Sequence, residues 1–189
     1  MRPTQLASLF AVIAMISGLL LGGIASAATA SATKGGIVHV FQSGGGGTGL
    51  GTVLLTGAIA DAGSSQSIDA NGTVDPNNAT DVNVALVHGS FRLNTQALNK
   101  TINKAFNNLR LNASTCSGYI AASGPATIVS GSGTGAYKGI SGSISLNFTY
   151  AFIDSKNASG KQKGQCNQSS NAPYLEVEQI VTGSGTVSF

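Results

Sequence analysis

The chain has 189 residues, of which only 9% are charged, and a formal net charge of +3. This length suits a single domain, and so mild a positive balance argues against nucleic acid as the main partner. Its two histidines and two cysteines show none of the spacings typical of metal ligands. We therefore expect no metal site, no catalytic cofactor and no nucleic-acid partner.

The N-terminal segment predicts export. Arg2 precedes an apolar run over residues 6–24, and 25-ASAA-28 places small residues where signal peptidase cleaves. A basic start, an apolar core and an A-x-A site are typical of a secretory signal. The alternative is a membrane anchor, since the run is almost long enough to span a bilayer. We expect a signal peptide over residues 1–27, a flexible linker over 28–36, and a secreted, extracellular product without an integral membrane segment.

Alternation of apolar and polar residues predicts strands in the first half of the remaining chain. In the candidate strand over residues 82–94, Gly89 is interpreted as a bulge or bend within one long strand. The glycine-rich stretch 43-SGGGGTG-49 predicts an irregular loop. The candidate strands are 37-IVHVFQ-42, 52-TVLLTGAIA-60, the weaker 66-SQSIDANG-72, and 82-VNVALVHGSFRLN-94.

One segment, 95-TQALNKTINKAFNNLRL-111, has helical rather than strand periodicity. Its apolar residues recur at spacings of four, three and four, which predicts an amphipathic helix of about four turns. Such a helix could be a lid over a barrel mouth or a basic docking face. It could instead pack its apolar stripe over an open end or side of a barrel, and a long Asn-rich loop is a further alternative. The apolar positions are Leu98, Ile102, Ala105 and Leu109.

Three further strands are predicted after the helix: 118-GYIAASGPATIVS-130, 141-SGSISLNFTYAFID-154 and 174-YLEVEQIVTGSGTVSF-189. Gly124-Pro125 breaks the first of them, because proline is tolerated at a bulge or an edge rather than in a central ladder. Many long strands with glycine kinks favour a sheet that curls shut. We therefore predict an all-β fold, a closed antiparallel β-barrel of about eight strands with one short amphipathic helix, forming a single domain over residues 37–189.

The two cysteines, Cys116 and Cys166, are predicted to form a disulfide bond. In an exported protein an even number of cysteines usually pairs. Closing a loop of about fifty residues stabilises the fold by roughly 4 kcal/mol on the chain-entropy model.

Two sets of residues are candidates for a ligand pocket. Large apolar side chains share one face of the 141–154 strand and would line an apolar interior. Two glutamates near the start of the last strand share a face with Tyr174. If that face pointed inward, two carboxylates and a phenol would have shifted pKa values and could transfer protons, and if it pointed outward they would be solvated. The pocket candidates are Ile144, Leu146, Phe148, Tyr150, Phe152, Glu176 and Glu178.

The other ionisable residues carry weaker signals. His39 alternates with Ile37 and Phe41, which indicates a satisfied or edge-exposed histidine rather than a general base. Four aspartates lie in turn-rich segments at spacings that match no calcium-binding loop, so we expect them to form turns. They are Asp61, Asp69, Asp75 and Asp81.

The run 127-TIVSGSGTGAYKGISGSISL-146 combines a strand, a glycine-rich turn and a second strand. A sharp turn between barrel strands needs positive φ and little side-chain bulk, and an aromatic side chain can tuck beneath it as a plug. The run resembles the hallmark of the allene oxide cyclase and dirigent barrel superfamily, in which a strand ends in a G-[ST]-G-x-[FY]-x-G-x-x-G turn. Tyr137 occupies its aromatic position. The matching glycines are Gly131, Gly133, Gly135, Gly139 and Gly142.

The resemblance implies a barrel, and 52-TVLLTGAIADAG-63 and 183-GSGTVSF-189 are also similar to exported bacterial barrels of this kind. Allene oxide cyclases cyclise an unstable epoxide inside an apolar barrel, and dirigent proteins orient phenoxy radicals. Their pocket residues lie outside the shared turn, so no catalytic residue is carried over.

We expect a secreted barrel that binds or shields a small hydrophobic molecule in its interior, and binding is favoured over catalysis. The alternatives are a cofactor-free cyclase or dirigent-like steering protein, and a filled barrel with a structural role at the cell surface. The sequence leaves the oligomeric state open.

Overall fold

The computed structural model describes residues 35–44, 49–167, 169 and 174–189. The predicted signal peptide, residues 1–27, and residues 28–34 of the predicted linker lie outside the described residues.

Eight antiparallel strands follow one another around the barrel in chain order, and the last pairs with the first to close it. The predicted fold class is therefore confirmed. The strands are β1 (Gly35–Gly44), β2 (Leu50–Gly57), β3 (Asp61–Ile68), β4 (Asp81–Leu86), β5 (Gly89–Asn94), β6 (Ser117–Ile128), β7 (Ser141–Asp154) and β8 (Tyr174–Ser188). Helix α1 (Gln96–Asn107) lies between β5 and β6, and a 3₁₀ turn (Gly135–Tyr137) lies between β6 and β7.

The segment predicted as one strand over residues 82–94 is a hairpin, and that prediction is corrected. β4 and β5 pair from Asp81↔Asn94 to Leu86↔Gly89, which leaves Val87 and His88 as the two-residue turn. Gly89 has φ +150, and a β-carbon there would lie 2.2 Å from the carbonyl oxygen of Thr134. The glycine is therefore required for the close approach of the neighbouring turn rather than for a bend in one strand.

The loops group at two ends of the barrel, because consecutive strands run in opposite directions. We call one the plug end: it holds the β2–β3, β4–β5 and β6–β7 connections, with Tyr137 buried among them. We call the other the helix end: it holds the β3–β4 connection, α1, and residues 155–167 of the β7–β8 connection.

Helix α1 occupies the opening where β5 and β6 diverge. These strands share only the pairs Leu93↔Ile128 and Asn94↔Thr127, so most of β6 has no strand partner on that side. The helix lies against β6 instead, and the Thr101 hydroxyl donates a hydrogen bond to the Ser123 carbonyl at 3.1 Å. The expectation of a helix that packs over an open end or side of the barrel is thereby confirmed. Within the described residues, no helix is long and apolar enough to cross a membrane.

Proline and glycine in β6 do not break the strand, contrary to the prediction. Gly124 and Pro125 pair with Leu146 and Ser145 of β7 in unbroken register. The missing N–H of Pro125 is tolerated because the other edge of β6 faces α1 rather than a strand.

The predicted disulfide is confirmed. Cys116 and Cys166 are bonded, with Cα atoms 5.3 Å apart and a sequence separation of 50. The bond ties the β7–β8 connection to the turn that precedes β6. Cys116 is fully buried and has φ +55, a conformation held by the hydrogen bond from its N–H to the Asn112 carbonyl.

Candidate functional site

The barrel interior is filled by side chains. A cavity among the core side chains has a volume of about 30 Å³ and is lined by residues such as Val53, Phe91 and Leu146. Sites for small organic ligands have volumes of roughly 300–1,000 Å³. A cavity of this size holds two or three water molecules at most, since one water needs about 10–15 Å³ on this measure. Among the described residues, this cavity therefore has no room for a hydrophobic ligand in this conformation.

Glycines on the inward face of the strands make this dense packing possible. A β-carbon at Gly118 would lie 2.4 Å from the ring of Phe152, and one at Gly183 would lie 2.7 Å from a methyl carbon of Leu146. Large side chains on β7 thus fill the space that neighbouring strands leave empty. Interior packing of this kind produces a core rather than a container.

The five apolar pocket candidates on β7 all point into the barrel, where they form part of the core. Their relative exposure is at most 7%. They are Ile144, Leu146, Phe148, Tyr150 and Phe152.

The two glutamates proposed for the same pocket do not line it, and this assignment is corrected. Glu176 and Glu178 are exposed, and their partners on β7 are Ile153 and Ala151, which alternate with the buried residues of that strand. A register shift between Ile153 and Asp154 turns Tyr174 to the opposite face. Tyr174 is consequently half-buried and packs edge-on against the ring of Phe152, whereas the glutamates stay solvated.

At the helix end, a buried carboxyl group lies among aromatic rings. Asp154 is only 7% exposed, and its carboxylate makes no side-chain hydrogen bond within the described residues. Burial raises the pKa of Asp154 above its usual range. Burial and the hydrogen bond with Tyr174 also raise the pKa of Tyr150. Asp154 and Tyr150 could exchange a proton, but neither residue lines the cavity in the core, so the described residues provide no place for a substrate beside them.

At the plug end, Asp61 collects hydrogen bonds from three segments. Its Oδ2 accepts from the Tyr137 hydroxyl at 2.5 Å and from the His88 backbone N–H at 3.0 Å, and it lies 3.0 Å from His88 Nδ1. Its Oδ1 accepts from the Ala62 N–H at 2.8 Å. Burial raises the pKa of Asp61, but these hydrogen bonds, led by the one from Tyr137, outweigh it and hold the pKa below its usual value. The carboxylate therefore stays ionised inside a nearly closed shell of donors.

The Asp61, His88 and Tyr137 cluster resembles a catalytic arrangement in residue type, but its geometry is that of a structural latch. Burial and the adjacent carboxylate raise the pKa of Tyr137, so its hydroxyl keeps its proton and points at Asp61. The ring is 5% exposed and packs edge-on against Phe91. A nucleophile or base needs contact with substrate, and this hydroxyl is occupied. The cluster fastens the glycine-rich turn over the end of the barrel.

The outer wall of the barrel carries an open depression of about 330 Å³, which we call the outer groove. Its centre is β8, with β1 on one side and β7 on the other. The strand register sets outward side chains in two rows across the three strands, Ser145–Ser184–His39 and Asn147–Thr182–Phe41. Val40 and Gly183 complete the lining.

The side chains of the outer groove have unused hydrogen-bonding capacity. Asn147 accepts a hydrogen bond from the Ser123 hydroxyl at 2.7 Å through its carbonyl oxygen, which leaves its amide N–H groups for another partner. Among the described residues, the polar side-chain atoms of His39, Ser145, Thr182 and Ser184 have no protein partner. Phe41 beside them is 49% exposed.

Sequence reasoning missed this groove because no motif marks it. Its residues carry hydroxyl, amide, imidazole and phenyl side chains, and those on β1 lie more than a hundred positions before those on β7 and β8. The period-two pattern does place His39 and Phe41 on one face of β1, but it cannot show which strands lie beside that face.

Within the described part of the chain, no group of three or more histidine, cysteine, aspartate or glutamate residues is placed to hold a metal ion. Comparisons with protein-family models, with curated proteins and with solved structures found no match to the chain.

Proposed function

We propose that this chain is a secreted barrel whose interior is a packed core and which acts through its outer wall as a rigid structural or binding module. The observation that carries the proposal is the cavity among the core side chains, whose volume of about 30 Å³ is an order of magnitude below that of a small-molecule site. Of the three functions considered from the sequence, the filled barrel agrees best with this volume.

The other two functions need space inside the barrel. A hydrophobic ligand or a cyclase substrate would have to displace core side chains such as Phe91 or Leu146, and exposing or losing a buried large side chain costs about 2–5 kcal/mol. The glutamates that would have supplied proton transfer face solvent. Asp154 and Tyr150 are buried and Tyr174 is half-buried, and none of the three lines the cavity in the core.

Export is the second part of the proposal. It is supported by the predicted signal peptide over residues 1–27 and by the Cys116–Cys166 disulfide, which persists in oxidising compartments. The resemblance of the Gly131–Gly142 turn to the allene oxide cyclase and dirigent superfamily stays a prediction, and it supports a shared barrel type rather than a shared reaction.

Benzene binding, measured by NMR on the purified wild-type protein, tests the packed core. We expect no saturable binding and no co-purified hydrophobic molecule. Leu146→Ala is the positive control, because it would enlarge the existing cavity and dry apolar cavities of about 150 Å³ bind benzene. Saturable binding of benzene, or of any hydrophobic probe, inside the wild-type barrel would overturn the proposal whether or not the variant folds.

A further inference from the structure

The outer groove has the chemistry of a recognition site for a neutral, polyhydroxylated ligand. We propose that it binds a segment of an uncharged oligosaccharide, with Phe41 against one face of a sugar ring and the amide and hydroxyl groups of β7 and β8 bonded to sugar hydroxyls. This inference deepens the proposed function, since it names a ligand class for the outer wall of the barrel, and it rests on that wall being the working surface.

The absence of charge around the groove selects the ligand class. In the three strands that form it, the charged residues are Asp154, Glu176 and Glu178. Asp154 faces inward, and Glu178 lies four residues from Thr182, which is about 13 Å along an extended strand. An anionic or cationic ligand would therefore find no charged partner in the groove, and phosphate, sulfate and nucleic acid all depend on such partners.

The polar groups argue against an apolar ligand. An apolar molecule in the groove would cover Asn147, Thr182 and Ser184 and desolvate them without replacing their hydrogen bonds to water, which costs free energy for each group. A sugar has hydroxyls that both donate and accept. It can therefore satisfy the free amide N–H groups of Asn147 and the hydroxyls beside them.

Phe41 supplies the apolar contact that such a ligand also needs. Its ring is 49% exposed, and its outward neighbours are Thr182 on β8 and Leu54 on β2, which is itself 48% exposed. Sugar rings carry a face of C–H groups, and aromatic rings bury that kind of surface at little conformational cost. Burying the exposed ring under a sugar would regain hydrophobic free energy that the free protein lacks.

The dimensions agree with a short stretch of glycan. Neighbouring strands lie about 4.8 Å apart, so the groove is about 10 Å wide from β1 across β8 to β7. Its volume of about 330 Å³ is at the lower limit of small-molecule sites. It is open to solvent rather than enclosed, so a longer sugar chain could lie across it and extend beyond β1 and β7.

NMR titration of the ¹⁵N-labelled protein with four neutral hexasaccharides tests the inference: maltohexaose, cellohexaose, xylohexaose and N-acetylated chitohexaose. We expect at least one to shift the backbone signals of Phe41, Asn147 and Thr182 in a saturable manner. A hexagalacturonate, which is anionic, should bind more weakly or not at all.

Phe41→Ala should weaken the binding about tenfold, and Asn147→Ala should weaken it several-fold. Tyr119→Ala is the matched control, because it removes a 63% exposed aromatic ring from β6, outside the groove, and should leave the affinity unchanged. The inference is overturned if none of the neutral sugars binds, if only the anionic sugar binds, or if Phe41→Ala retains full affinity. These outcomes leave the packed-core proposal intact, since benzene exclusion from the interior is measured independently.

Discussion

Tyr137 donates its hydroxyl hydrogen bond to Asp61 at 2.5 Å, across 76 residues of sequence, and so joins the β2–β3 and β6–β7 connections at the plug end. A buried carboxylate needs nearly complete hydrogen bonding to stay ionised. The latch therefore depends on both partners: the phenol fixes the glycine-rich turn, and the turn holds the phenol against the carboxylate.

Tyr137→Phe removes the hydroxyl and leaves the ring in place. We expect the free energy of unfolding to fall by about 1–3 kcal/mol, because Asp61 loses one of its strongest donors while it stays buried. Urea unfolding followed by circular dichroism measures the change. Tyr119→Phe, at a 63% exposed tyrosine, is the control and should change stability little. Equal losses in the two variants would show that the hydrogen bond to Asp61 stabilises nothing.

The latch also predicts a loss of stability in acid. Burial raises the pKa of Asp61, but the hydrogen bonds from Tyr137, His88 and Ala62 lower it by more, so the folded pKa lies below the usual value. The stabilisation is thus complete above the unfolded pKa of about 3.9 and is lost as the pH falls through the folded pKa. Asp61→Asn should be clearly destabilised at pH 7, and the difference from wild type should narrow below about pH 4. A difference that stays constant between pH 7 and pH 3 would contradict this.

Period-two patterning predicted most of the strands, although the weaker candidate over residues 66–72 overlaps β3, Asp61–Ile68, in only three residues. β7 is the clearest example: its inward residues from Ile144 to Phe152 are all large and its outward residues are mostly small and polar. The helix could be predicted from its own period of about 3.6 residues, since Leu98 and the apolar residues after it face the barrel.

The errors arose where tertiary contacts decide local structure. Val87-His88 is not a typical hairpin turn sequence, and it is held by the hydrogen bonds from His88 to Asp61, 27 residues away. The faces of Glu176 and Tyr174 depend on a register shift near Asp154 that no sequence pattern marks. The fullness of the interior was unpredictable too, because it depends on how the glycines of one strand face the large side chains of the next.

Gly124 is predicted to be essential for the seating of α1. A β-carbon there would lie 2.8 Å from the Cα atom of Leu98, which is backbone and cannot move without shifting the helix. Gly124→Ala should cost about 1–3 kcal/mol of stability, the usual penalty for overpacking. Thermal unfolding measures it. Ala121→Val, which adds more bulk to the exposed face of the same strand, should be nearly neutral, and a similar loss from both would mean that added bulk on β6 is harmful regardless of the helix.

Loss of the disulfide should lower stability without abolishing the barrel. The Cys116–Cys166 bond closes a loop that contains β6 and β7, and the chain-entropy model gives about 4 kcal/mol for a loop of this length. The Cys116→Ser/Cys166→Ser double variant should unfold at lower urea concentration and keep the far-UV spectrum of a β-protein. Reductant should shift the wild type toward the same midpoint and leave the variant unchanged. If reductant also lowered the unfolding midpoint of the double variant, its effect on the wild type could not be assigned to the Cys116–Cys166 bond.

Asp154 predicts the opposite pH dependence to Asp61. Its folded pKa is raised by burial, so the contribution of the neutral acid is complete below the unfolded pKa of about 3.9 and is lost as the pH rises through the folded pKa. Asp154→Asn keeps the shape without the charge and should therefore be more stable than wild type at pH 7, with the two becoming alike near pH 3. Asp81→Asn is the matched control, because Asp81 is also buried but accepts a hydrogen bond from Asn94 at 3.0 Å, and it should bring no gain. If Asp154→Asn is destabilised at pH 7, the ionised carboxylate has a stabilising partner, and the helix end of the barrel would then hold a polar interaction that the packed aromatic rings do not provide.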